Sequence, residues 1–208
     1  ICLFFGLSCF SLSTLFRKFF KIPKNEHLLN FYLGYVFLLI LLTFFSFYPI
    51  NNALFYLSIF STIIILTFKE NKYLYKLCLS KITSNENVAS SVSHLFVLAF
   101  LSVYLFSSLM PERGADALSH HLYIGSYIKN FGYWSYNFHD YVWALFPVSA
   151  DLTISFFYMF GDEISAKLSL FLLLLLFLSI FRKILVELNI KNKSLGILLQ
   201  LTCPVLFL

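Results

Sequence analysis

Charge is what this sequence has least of. Only 12% of its 208 residues are Asp, Glu, Lys or Arg, about half the share of a typical soluble domain. A chain so poor in polar groups cannot cover a folded surface with them, which excludes a soluble globular protein. Negative charge is scarcer still, with 10 acidic residues against 15 basic ones. Cysteine is also rare: Cys2, Cys9 and Cys203 fall in apolar runs and Cys78 beside a lysine-rich segment, so no disulfide framework is implied. The start of the chain lacks basic residues ahead of its first apolar run, 1–16; Arg17, Lys18, Lys21 and Lys24 follow it instead. A secretory signal has the opposite order. The run therefore reads as the tail of a transmembrane helix leaving towards the cytoplasm.

What fills the sequence is hydrocarbon. Residues of the hydrophobic class make up 60% and aromatics 20%. Apolar runs cover 1–16, 28–47, 53–68, 92–109 and 164–181, with a last run from Leu195. Several approach the ~20 residues that cross ~30 Å of hydrocarbon. The expectation is an all-α, polytopic transmembrane protein. Three parts are expected: transmembrane helices over 1–109, a loop over 110–163, and transmembrane helices over 164–208. Because residue 1 is Ile and the chain stops inside an apolar run, it is expected to be part of a larger membrane protein. Its heavy use of Phe, Leu, Ile, Lys, Asn and Tyr suits an AT-rich bacterial gene.

The basic residues set an orientation. Lys and Arg collect in cytoplasmic loops because they resist translocation. Alternating the spans places twelve of the fifteen basic residues inside, with Arg113, Lys129 and Lys167 as the exceptions. The net charge of +5 is thus a topology signal, and no nucleic-acid partner is expected. Residues 110–163 then lie outside, and the protein is expected in the inner, cytoplasmic membrane. Within this loop, 142–160 is apolar, but Pro147 and Asp151 interrupt it and another crossing would invert the basic flank after Phe181. It is expected to lie along the outer membrane surface, with Trp143, Phe156, Phe157 and Tyr158 at the interface.

Polar residues concentrate in MPERGADALSHHLYIGSYIKN, 110–130. Pro111 and Gly114 make a turn, and a helix is expected from Ala115. At 100° per residue Asp116, His120, Tyr123 and Tyr127 share one face, while Ala117, His121, Ile124 and Ile128 form the neighbouring one. A carboxylate and an imidazole four residues apart can accept a proton from a hydroxyl or orient a phosphate-bearing donor. An acid in such a turn more ordinarily is solvated or caps the helix. Of the adjacent histidines, at most one joins the same site. His139 and Asp140 add metal-ligand types, but the spacing matches no strong metal signature, and no cofactor is expected.

The segment Asp116-Ala117-Leu118-Ser119-His120-His121-Leu122 resembles the D-A-L-x-Y-H-L stretch of bacterial membrane glycosyltransferases of the GT-C superfold, similar to protein O-mannosyltransferases and lipid A aminoarabinose transferases. Tyr127-Ile128-Lys129-Asn130-Phe131-Gly132 and Gly161-Asp162-Glu163-Ile164-Ser165-Ala166-Lys167-Leu168 resemble later elements of that family. The likeness covers about residues 111–181; the first hundred residues match only as generic spans, and His120 stands where the family more usually has tyrosine. The resemblance implies a GT-C-like fold whose outer loop carries juxtamembrane helices. It implies transfer of a sugar from a polyprenyl-phosphate carrier to a lipid, glycan or protein acceptor, with inversion at the anomeric carbon. Asp116 matches the family's catalytic acid and His121 its histidine, with His120 or His121 in support. Arg113 and Lys167 are the cations that would face the departing phosphate, although a lysine at a membrane boundary also simply snorkels. Taken alone, the chain is expected to be inactive. Competing readings are a transporter or flippase subunit, or a non-catalytic membrane protein. A transporter keeps ionisable groups near the bilayer midplane, whereas here the acids gather in the loop.

Overall fold

The computed structural model describes residues 1–17, 19–21, 27–83, 92–111, 121–137, 139 and 149–202. Seven helices occur among them: α1 (Cys2–Phe16), α2 (His27–Ser46), α3 (Ala53–Thr83), α4 (Val92–Leu109), α5 (Leu122–Phe131), α6 (Ser149–Glu187) and α7 (Lys193–Leu201). No described residue is in a strand. Three stretches are long and apolar enough to cross a membrane: His27–Ser46, Ala53–Lys72 and Ala150–Glu187. The chain is thus an all-helical protein of membrane type. Lys69, Lys72, Lys76 and Lys81, expected to follow the third span as a lysine-rich segment, continue α3 as helix to Thr83.

Small and polar residues, rather than the largest apolar ones, decide how α1 and α2 meet. In α2 the buried positions are Asn30, Gly34, Leu38, Leu42 and Ser46, a stripe repeating every four residues. In α1 they include Ser8, Cys9, Ser11, Ser13 and Thr14. Both helices are apolar all round, so hydrophobicity selects no face; small residues that let backbones approach do. Between α1 and α3 lies a buried polar network. Thr14 Oγ1 donates to Asn71 Oδ1 (2.8 Å), and the Asn71 amide donates to Thr67 Oγ1 (3.1 Å) and Ser11 Oγ (3.2 Å). Below it Arg17 pairs with Glu70 at 3.0 Å.

At the opposite end of α3 the chain turns tightly from α2. Asn51, buried, is the hub of that turn. Its amide donates to the carbonyls of Phe45 and Tyr48, and to that of Gly132 at 2.6 Å. Its own backbone N–H also donates to Gly132 O, and Trp134 N–H donates to Ser46 O. Gly132 is the left-handed cap that ends α5, with φ +78°, a conformation that glycine alone adopts without a Cβ penalty. The α2–α3 turn and the end of α5 are therefore joined at one end of the bundle. The orientation expected from the basic residues also puts these two segments on one side of a membrane.

α6 is two helices joined across a kink. Gly161 and Asp162 leave helical geometry, Asp162 with φ +55° and ψ −150°. Residues 163–187 rise about 37 Å at 1.5 Å each, enough to cross the hydrocarbon layer. Residues 149–160 reach about 18 Å. They do not lie on the surface, however. Phe156 is 0% and Phe157 1% exposed, packed against Phe5, Tyr56 and Phe60 with ring centroids 5.0–6.0 Å apart. The expected interfacial placement of Phe156 and Phe157 is overturned; both are core residues. The reason is company: α1, α2 and α3 together leave a slot whose aromatic walls bury these rings more fully than a headgroup region would. Trp143 and Pro147 lie outside the described residues.

Candidate functional site

α5 delivers the first group. Leu122, Ile124, Gly125 and Ile128 form its buried face against α6, with Tyr123 exposed on the other side; Asp116, Ala117 and His120 of the expected faces lie outside the described residues. Gly125 permits the contact: a Cβ there would meet the Tyr158 ring at 3.0 Å. His121, the N-cap residue of α5, stands just before this face. Its Nδ1 lies 2.5 Å from Asp151 Oδ1 on the first turn of α6. The histidine is half exposed while the acid is largely covered, at 52% and 13% side-chain exposure. In the tautomer whose Nδ1–H donates to the carboxylate, Nε2 is left as an acceptor. A carboxylate that fixes an imidazole in this way makes it a better-oriented base.

The second group is Lys167. Its Nζ donates to Met110 O at 2.7 Å, tying α6 to the end of α4. Between those helices lies a cleft of about 870 Å³, lined by Tyr104, Ser107, Leu170, Phe171, Leu174 and Phe177, with Lys167 and Met110 among its walls. The polar groups collect near Lys167 and Met110, and leucines and phenylalanines take over further along α6. That distribution suits an amphiphile with an anionic head. Leu122, Ile154 and Ala166 close into one small buried cluster, with Tyr158 against it; His121 precedes the first of these in sequence and Lys167 follows the last. Lys129 adds a second tie between α5 and α6: it pairs with Asp162 and lies 5.7 Å from the centroid of the Tyr158 ring.

Of the residues singled out from sequence, His121 is paired with Asp151 on α6, and Lys167 is tied to Met110 at the end of α4. Asp116, His120 and Arg113 lie outside the described residues, as does Asp140. His139 is described, with its N–H donating to Asn137 Oδ1 at 3.1 Å. Among the described residues, no three His, Cys, Asp or Glu side chains come together as metal ligands would. Asp151 is the residue that sequence reasoning passed over, weighing it only as a reason against a span. The available signal was an acid inside an apolar helix, which calls for a partner; a separation of 30 positions hid which partner.

No protein-family model matches the chain, nor does any curated protein or solved structure.

Proposed function

We propose that the protein is the membrane-embedded part of a GT-C-like glycosyltransferase of the cytoplasmic membrane, which moves a sugar from a polyprenyl-phosphate carrier to an acceptor on the extracytoplasmic side. One observation carries this reading: α6 holds both an oriented imidazole, through the His121–Asp151 pair, and a cation beside an apolar cleft, Lys167. Glycosyl transfer from a lipid carrier uses a base with its supporting groups, a cation and an apolar groove together. The acceptor hydroxyl loses its proton to a base as its oxygen forms the new bond to the anomeric carbon. The bond from that carbon to the phosphate oxygen breaks, and the phosphate departs on its lipid with an extra negative charge. A cation near that oxygen stabilises the charge as it develops, and the cleft between α4 and α6 holds the chain.

In this mechanism Asp116 takes the acceptor proton or orients the hydroxyl, with His120 or His121 in support, and Arg113 joins Lys167 at the phosphate. Residues 110–163 face the extracytoplasmic side, where the acceptor lipid, glycan or protein is met. The decisive measurement is sugar transfer from a lipid-linked donor in membranes holding the full-length protein, at matched protein levels. Asp116→Asn keeps size and shape but removes the base, and is expected to slow transfer 10²- to 10⁴-fold, the usual contribution of a positioned acid–base group. Asp140→Asn is expected to cost much less. An Asp116→Asn protein that keeps most of its activity would take this residue out of the mechanism and break the link to the transferases.

A further inference from the structure

At the far end of α6 from the kink, cations and large apolar side chains share one exposed tip. Arg182, Lys191 and Lys193 are exposed and form no ion pair with another described residue. Interleaved with them, Ile184, Leu188 and Ile190 are also exposed, Leu188 by 65%. Between residues 182 and 193 there are four basic residues and one acid, Glu187. The chain reverses here through Asn189, with φ +55°, and α7 packs back so closely that a Cβ on Gly196 would lie 2.8 Å from Leu185 Cδ1. The tip is therefore a built feature of the fold.

Helix length places it. Arg182 follows Glu163 by nineteen residues, or about 29 Å of helix, which matches the ~30 Å of hydrocarbon between two headgroup layers. In water, Ile184, Leu188 and Ile190 would be left exposed without return. At a headgroup boundary they sit in the acyl region while the charged heads of neighbouring side chains extend to the phosphates. We propose that the α6–α7 tip is a binding site for the headgroups of anionic phospholipids in the leaflet at that end. Arg182, Lys191 and Lys193 supply the charge, and the exposed aliphatic residues set the depth. This site is separate from the α4–α6 cleft and does not depend on the transferase reading.

The test is native mass spectrometry of the protein released from nanodiscs of phosphatidylcholine mixed equally with phosphatidylglycerol. The wild-type chain should retain phosphatidylglycerol in preference to phosphatidylcholine. Arg182→Gln, Lys191→Gln and Lys193→Gln should each weaken that retention about fivefold, the effect expected for one basic residue at an anionic surface. All three sites are exposed, so folding is expected to survive, and helix content by circular dichroism checks it. Equal retention of both lipids by the wild type would overturn the proposal, as would undiminished phosphatidylglycerol retention by the triple variant. A tip occupied by a second copy of the chain, seen as a dimer that the triple variant disrupts without lipid loss, would overturn it too.

Discussion

Gly34 and Gly6 face the same neighbourhood from α2 and α1 but answer to opposite rules. A Cβ on Gly34 would lie 1.7 Å from the carbonyl oxygen of Cys9, whereas one on Gly6 would meet nothing within 4 Å. The first glycine lets two backbones touch; the second occupies a helix without using its freedom. Gly34→Ala should therefore destabilise the protein by roughly 1–3 kcal/mol, the range for overpacking a close contact. Gly6→Ala should be neutral or stabilise by up to about 1 kcal/mol, from helix propensity. Thermal unfolding of both variants in detergent separates the two cases. Equal effects would show that the α1–α2 approach is looser than 1.7 Å implies. His121 and Asp151 show the same selectivity at the site, where an acid on the first turn of an apolar helix meets an imidazole 30 positions away in sequence. The sequence announces both residue types and leaves their pairing open.

At the scale of the helices, the break in α6 is the feature to probe. Asp162 adopts a backbone conformation that is costly for any residue with a Cβ, by about 1–3 kcal/mol. In return its carboxylate pairs with Lys129, but both partners are substantially exposed, and exposed pairs contribute only about 0–1 kcal/mol. The backbone term outweighs the ion pair. Asp162→Gly is accordingly expected to raise stability by about 1 kcal/mol, while Asp162→Ala, which keeps the strain and loses the pair, should lower it slightly. Unfolding midpoints for the two variants give the sign directly. Helix identity and extent were largely legible beforehand: α2 and α4 fall on the expected apolar runs almost residue for residue. The burial of residues 149–160 was not, since an apolar stretch with an acid near its start reads equally as an interfacial helix or a core one. Only the aromatic slot between α1, α2 and α3 separates them.

Across the whole molecule, the sidedness derived from basic residues can be checked with single cysteines in a cysteine-free background. A cysteine at Asn137, exposed beyond α5, is expected to react with a membrane-impermeant thiol reagent in intact cells. One at Lys72, exposed on α3, is expected to stay unlabelled until the membrane is opened. Asn71 is unsuitable as the inner reporter because it is 1% exposed, and burial alone would protect it. Labelling of Lys72→Cys but not Asn137→Cys would invert the topology and remove the outer site from its acceptor.

Composition by itself determined that the chain is helical and of membrane type, because in hydrocarbon every backbone donor and acceptor must be satisfied within the segment, which apolar helices achieve alone. Charge placement gives an expected side for each segment, and the hydrogen bonds from Asn51 and Trp134 join the α2–α3 turn to the end of α5. Which face each helix buries was decided only in three dimensions. When every face is equally oily, hydrophobicity carries no direction, and packing falls to a few small or polar residues such as Gly34, Ser11 and Asn71. The meeting of His121 with Asp151, and of Lys167 with the end of α4, belongs to the same category. Each partner is separated in sequence by 30 or 57 positions, and only the docking of α5 and α4 on α6 brings their atoms within bonding distance.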